Sequence, residues 1–348
     1  MWVHLVLGLT GAVILAIVGV TGAYITFQGP LFQRLNPVPE VAVFSGSVDA
    51  PAIIAAVEKQ FTPRRVANVS VRDTGHAVVV RLRDRTAVFV DPATATVIGS
   101  RPARLASLEN LTALMRRLHT NLVLGPKGRA LVLFATAEAL LLALTGIWLW
   151  WRTKAWQFRP WRGSVYRVSW DLHNATGIWF LIPVFAMAAT GVLMSVPSPI
   201  WKFFGPPPPA VEQPRSHVGD GADSTPVPLS RVVSAADSAA PGELLGLVIP
   251  SAPSGTYAIR KAAQTVYVDQ FTAAVLDVRA PPQLNRGQKV FRVVDRVHTG
   301  ELLGIPGRAI MTLGCLMLVV ATVTGAVLGF KRLLILAGKR AESGDQLA

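Results

Sequence analysis

The segment beginning at Arg117, RLHTNLVLGPKGRA, returns at Arg296 as RVHTGELLGIPGRA. Both follow R-x-H-T-x-x-x-L-G-x-x-G-R-A, and both run on into about 22 apolar residues. Each apolar run then carries Thr-Gly at the same distance from its histidine: Thr145-Gly146 after His119, and Thr324-Gly325 after His298. The offset is 179 residues throughout, without a gap. A second match supports the duplication: residues 4–22 and 173–191 both read H-x-x-x-G and then Thr-Gly, as Thr21-Gly22 and Thr190-Gly191. A repeat of this kind fixes the plan of a fold before any single element is read. The chain divides into two halves, each a helix led by a histidine, a long polar insert, and a second helix preceded by a histidine. Four of the six histidines, His4, His119, His173 and His298, fall at the repeat positions.

Four apolar runs, at about 5–27, 130–151, 174–196 and 308–330, reach the roughly 20 residues a bilayer span needs. The first lacks a basic leader and an A-x-A site, so it reads as a retained helix rather than a cleaved signal. A net charge of +14 would suggest nucleic acid in a soluble protein. Here topology accounts for part of it, and no nucleic acid is expected; the partner is the lipid bilayer. The short loop between the second and third spans holds Arg152, Lys154, Arg159, Arg162 and Arg167, and the tail holds Lys331, Arg332, Lys339 and Arg340. Short basic loops stay in the cytoplasm. Both termini are therefore expected inside, and both inserts outside. Trp148, Trp150, Trp151, Trp156 and Trp161 suit an aromatic belt at the inner surface. The one cysteine, Cys315, lies within the fourth run and reads as packing; without C-x-x-C-H, covalent c-type haem is excluded.

Residues 51–61 suit an amphipathic helix with Pro51 in its first turn. Alternating runs at 66–72, 77–83 and 86–90 and a short strand at 96–98 follow. The second insert opens on a Pro/Gly/Ser-rich linker and repeats the order, with a helix near 229–238 and strands near 244–249, 256–261 and 265–269. Val266-Tyr267-Val268-Asp269-Gln270-Phe271-Thr272 echoes Val88-Phe89-Val90-Asp91-Pro92-Ala93-Thr94. His76 and His217 lie outside the repeat and read as surface residues.

The H-x-x-x-G first helix, the Trp170-Asp171-Leu172-His173 start of the third, the two R-x-H-T motifs and the V-[FY]-V-D-x-x-T strands resemble the PepSY-associated transmembrane family. These are bacterial inner-membrane proteins, often iron-regulated, some of them ferric-siderophore reductases. The resemblance implies a membrane α-helical fold: a four-helix bundle from two duplicated helix pairs, each with an extracytoplasmic α+β PepSY-like insert. The plan is a first span at 1–28, a first PepSY-like domain at 29–106, an interfacial helix with the second span at 107–152, and a cytoplasmic loop at 153–169. A third span at 170–196, a linker with the second PepSY-like domain at 197–289, an interfacial helix with the fourth span at 290–331, and a tail at 332–348 complete it.

On this topology His4 and His173 sit near the cytoplasmic face, and His119 and His298 near the outer face. Ionisable residues at membrane depth are costly and point to function. Two neutral imidazoles from opposed helices can hold one haem iron from both sides. Two b-type haems are expected, one on His4 and His173 and one on His119 and His298. Thr-Gly falls about 26 Å along the first and third helices from their histidines, which puts Gly22 and Gly191 at the outer level. Gly146 and Gly325 fall at the inner one. Small residues there let a flat ring or a neighbouring backbone approach, or serve helix packing. Arg117, Arg296, Arg129 and Arg308 suit propionate partners or interface residues. Glu138, the one acid deep in a span, is a proton or quinone contact, or bonds a hydroxyl across the bundle. No catalytic side chain stands out, and no strand–G-x-G-x-x-G–helix marks NAD or flavin.

Two functions follow. One is a haem-b conduit carrying electrons from a quinol or cytoplasmic reductase to an acceptor outside, by resemblance a ferric chelate or siderophore. The other is a non-redox membrane-anchored binding module or permease component. On the topology, reporter fusions at Arg162 and at the C-terminus should signal cytoplasm, and fusions near Arg83 and Tyr257 the outside. A cytoplasmic signal from either insert overturns the sorting of histidines into two levels.

Overall fold

The computed structural model describes residues 1–35, 37–61, 65–102, 108–153, 163–196, 212–217, 225–281 and 283–345. Most of the basic loop, with Lys154, Arg159, Arg162, Trp156 and Trp161, and much of the Pro/Gly-rich linker lie outside the described residues. The chain forms two compact units. One is helical, from residues 1–32, 108–207 and 284–348; the other comprises 33–107 and 208–283.

The helical unit begins with α1 (Trp2–Leu35). A collar helix, α3 (Leu108–Asn121), leads into α4 (Gly125–Thr153). The third apolar run forms two helices, α5 (Val165–Trp179) and α6 (Leu181–Ser195), bent by 68° at Phe180. The sequence expects one unbroken helix over this run; the structure has two, which together make one span or a broken one. Pro183 has no N–H to offer the Trp179 carbonyl, and its ring crowds that carbonyl, so the ladder breaks one turn earlier. A second collar helix, α8 (Arg286–His298), is followed by a 3₁₀ turn (Glu301–Leu303) and α9 (Gly304–Asp345). Among the described residues, three helices are long and apolar enough to cross a membrane, or four if the bent pair is one span.

The second unit holds α2 (Ala50–Gln60), α7 (Leu229–Ala239) and eight antiparallel strands. These are β1 (Val66–Ser70), β2 (Val78–Leu82), β3 (Ala87–Val90), β4 (Val97–Arg101), β5 (Leu244–Val248), β6 (Thr256–Lys261), β7 (Thr265–Asp269) and β8 (Val275–Arg279). The sequence reading misses β8, a short half-exposed strand whose alternation spans only Val275 to Arg279. The strand order is β4-β3-β2-β1-β5-β6-β7-β8. The two inserts thus share one sheet, joined where Asn68, Val69 and Ser70 of β1 pair with Val248, Leu247 and Gly246 of β5. One face alternates buried apolar side chains, among them Val78, Val80, Val88, Val90, Ile259 and Val266, beneath α2 and α7. The Asp49 carboxylate caps α2 by accepting from the Ala52 N–H at 3.0 Å. β3 is buried on both faces because Val38 and Val41 cover Ala87 and Phe89.

Ile53 of α2 is fully buried in this core. Ile53→Ala should cost about 2–5 kcal/mol through lost burial and a residual cavity. Hydrogen exchange on the full chain should show faster exchange across β1, β2 and β5. Unchanged protection there would mean the core does not depend on this contact.

Candidate functional site

The two repeat motifs build two similar elbows. Gly125 and Gly304 adopt left-handed backbone, with φ of 62° and 65°, a conformation that glycine enters without strain. Three residues on, a Cβ at Gly128 would collide with the Asn121 carbonyl, and one at Gly307 with the Gly300 carbonyl. The glycines of L-G-x-x-G therefore let the collar helix fold tightly against the start of the long helix. α8 is further fixed by a capping box, in which Gln288 N–H donates to the Asn285 side chain at 2.8 Å and Asn285 N–H to Gln288 Oε1 at 3.0 Å. Both collar helices end on their histidines or within one turn of them.

The elbow brings His119 back against α1 and His298 back against α6. The Nδ1–H of His119 donates to the Val18 carbonyl at 3.0 Å and to Thr21 Oγ1 at 3.2 Å. His298 repeats this on Met187 O at 3.1 Å and Thr190 Oγ1 at 3.0 Å. At the other end of the bundle His173 donates to Ala321 O at 2.8 Å, with Thr324 Oγ1 at 3.4 Å. His4 donates to Thr145 Oγ1 at 2.9 Å.

These partners fix the tautomer. A backbone carbonyl only accepts. Each threonine spends its own proton on the carbonyl four residues back: Thr21 on Ile17 (2.6 Å), Thr145 on Leu141 (2.7 Å), Thr190 on Ala186 (2.6 Å) and Thr324 on Val320 (2.7 Å). The hydroxyl oxygen facing the ring can therefore only accept. Nδ1 must carry the hydrogen in all four imidazoles, so in the neutral ring Nε2 keeps its lone pair. That is the state of a metal-ligating histidine whose far nitrogen is held by the surrounding protein. Outside the spans the charge state agrees. Burial, followed by the neighbouring His298, brings His119 down to about 4, and burial lowers His298.

The glycine of each Thr-Gly pair meets the same ring. A Cβ at Gly22 would lie 3.1 Å from His119 Cε1, at Gly191 3.4 Å from His298 Cε1, at Gly146 3.5 Å from His4 Cε1, and at Gly325 3.0 Å from His173 Cε1. Thr-Gly is thus a seat for one imidazole: the threonine binds the ring and the glycine makes room for its edge. The sequence marks the glycines; the threonines escape it, although Thr precedes Gly at all four places.

The histidines then meet in pairs. His4 and His173 have ring centroids 6.1 Å apart with planes at 83°. His119 and His298 are 6.2 Å apart at 60°. Each histidine sits on a helix of its own half, and each pair joins the two halves. His119 is seated at Gly22, so the pairs stand about 26 Å apart along α1.

The other candidates fall into place around these pairs. Arg308 donates to the Thr26 carbonyl at 2.9 Å and pairs with Glu301 at 3.3 Å. Arg129 reaches the Ser195 carbonyl at 3.4 Å. Arg129 thereby meets the carbonyl of the last residue of α6, whereas the carbonyl that Arg308 binds lies nine residues before the end of α1. Arg117 and Arg296 are exposed on the collar helices. Glu138 is buried at 2% exposure; Oε1 accepts from Thr10 at 2.7 Å, and Oε2 has no partner among the described residues. Cys315 is buried with its sulfur 3.4 Å from Met187 Sδ. His76 bonds Asp73 at 2.7 Å, and the His217 backbone donates to Asp269 at 3.3 Å, both in the sheet unit.

The seats differ in tightness. Gly146→Ala adds a methyl at ordinary contact distance, whereas Gly325→Ala forces His173 to yield by a few tenths of an ångström. Overpacking of this sort costs about 1–3 kcal/mol. Thermal unfolding of the purified full chain should show a lower Tm for Gly325→Ala and little change for Gly146→Ala. The reverse order would mean that His173 does not occupy this seat.

A comparison with curated proteins finds no match to the chain. A comparison with protein families matches residues 1–332 to the PepSY-associated TM region. The apolar helices, the antiparallel sheet and this match over nearly the whole length place the chain in a membrane-protein family: it belongs to the PepSY-associated TM region family.

Proposed function

We propose that the protein is a transmembrane electron carrier with two haem b groups, and that it reduces a ferric chelate outside a bacterial inner membrane. In this reading the halves arose by duplication and the inserts are PepSY-like domains facing the periplasm. The termini face the cytoplasm, and electrons come from a quinol or a cytoplasmic reductase. His4 and His173 hold the inner group, and His119 and His298 the outer one. Bound there, haem b supplies a one-electron Fe(III)/Fe(II) couple.

The observation that carries the reading is the separation of the rings. An imidazole nitrogen lies about 2.0–2.1 Å from a metal it binds and about 1.1 Å from its own centroid, so two rings on opposite sides of one ion have centroids about 6.3 Å apart. The pairs stand at 6.1 and 6.2 Å. All four rings keep Nε2 for a metal because Nδ1–H is committed to a threonine or a carbonyl. The residues present therefore fit the group.

The side chains have separate tasks. Threonine hydroxyls and the Val18, Met187 and Ala321 carbonyls orient the rings and strengthen them as ligands. Glycines give the rings depth in the bundle. Arg129 and Arg308 bind carbonyls of α6 and α1 and retain further donors that suit carboxylates. An acceptor outside would gain one electron at its Fe(III), with no bond made or broken by the protein.

Purified protein from haem-replete cells should carry two six-coordinate, low-spin, extractable haems. His119→Ala and His298→Ala should damage the same haem, and His173→Ala the other, as followed in a redox titration at the α-band. A protein with no Soret band refutes the electron-transfer reading; losses at different haems from His119 and His298 refute the pairing.

A further inference from the structure

Four basic residues of α8, Arg286, Lys289, Arg292 and Arg296, are exposed. Their spacings of three, three and four place them on one stripe covering about a third of the helix circumference. The one acid of α8, Asp295, falls outside it. His298 lies about half a turn round from the stripe. Because His298 reaches Met187 and Thr190 of α6, the stripe faces away from the bundle. The other collar helix adds Arg116 and Arg117, also exposed, directly before its own histidine. Arg116 is close enough for its charge to act on His119. Positive charge therefore lies on the outward faces of the two collar helices that carry the histidine pair which the electron-transfer reading treats as the exit.

We infer that this basic collar is a docking surface for anionic ferric chelates, the polycarboxylate or catecholate class, and that it selects them over neutral and cationic ones. The inference rests on the electron-transfer reading for its purpose, though not for its chemistry. A ferric polycarboxylate concentrates several negative charges in a small volume. Guanidiniums at successive turns match it with paired, charge-assisted hydrogen bonds. A field of one sign also raises the local concentration of an opposite charge and speeds its arrival. A cationic chelate would meet repulsion from the same residues.

The test uses the full-length protein in detergent and two readouts. The first is calorimetric binding of gallium(III) citrate, a redox-inert stand-in that needs no haem. We expect binding that weakens with salt, and at least about tenfold loss in the Lys289→Glu, Arg292→Glu double variant. The neutral Lys289→Gln, Arg292→Gln variant should fall between, which guards against misfolding caused by charge reversal. The second is stopped-flow reoxidation of the dithionite-reduced protein. Ferric citrate should react about tenfold faster or more at low salt than a cationic ferric trihydroxamate, and the double reversal should remove the difference. Gallium citrate binding that is absent, or equal in all variants, overturns the inference even if the haems are intact. So does loss of co-purifying anionic lipid in the variants with unchanged chelate binding, which would make the collar a lipid contact. If gallium citrate binds as expected but no ferric chelate reoxidises the protein, the binding surface stands and the electron-transfer reading fails.

Discussion

Everything in the helical unit depends on how an imidazole is held by a neighbouring helix inside the bundle. A histidine placed there without partners would carry a costly polar edge. Thr-Gly removes that cost in two steps. The glycine lets the ring come close, and the threonine, joined in three of the four seats by a carbonyl one turn away, takes up Nδ1–H. The ring is then neutral, oriented, and left with one lone pair on the far side. The same seat occurs four times, at Thr21-Gly22, Thr145-Gly146, Thr190-Gly191 and Thr324-Gly325. Helix positions, the elbows and the capping box of α8 can all be understood as means of delivering a histidine to its seat.

The seats are not equal. Three histidines have a carbonyl as well as a threonine, whereas the recorded bond of His4 is to Thr145 alone. Gly146 also leaves its ring more room than Gly325 leaves His173. The two halves differ again in the third span, which breaks at Phe180 while its counterpart α1 runs on as one helix. The two pairs thus share a design without being copies in detail, and groups held by them would differ in environment.

Much of this was legible in the sequence because the repeat constrains positions rather than propensities. An offset of 179 residues aligns R-x-H-T with R-x-H-T and Thr-Gly with Thr-Gly, and the helical rise then brings Gly22 to the depth of His119. The length of the spans and the order of strands came from period and composition. What stayed hidden depends on three-dimensional partners. No pattern tells that β1 pairs with β5, because an edge offers the same N–H and C=O groups to any strand. The threonines look like ordinary helix residues until a ring from another helix reaches them. Arg129 and Arg308 carry the same charge whether they meet a carboxylate or a carbonyl, and their partners decide. The Pro183 break was available from chemistry, but an apolar run of spanning length reads as one helix by hydropathy alone.

Arg308 and Arg129 have a consequence for how the bundle can open. His4 ties α1 to α4, and Arg129 ties α4 to the end of α6. His173, at the other end of that same broken span, ties it to α9, and Arg308 ties α9 back to α1. The four ties make a closed circuit, alternating between the two ends of the bundle. An open chain of contacts can fray from its last member, but a circuit has none. No span can leave without severing two ties at opposite ends, so partial opening gains little freedom for what it loses. Such an assembly yields as a whole or stays shut.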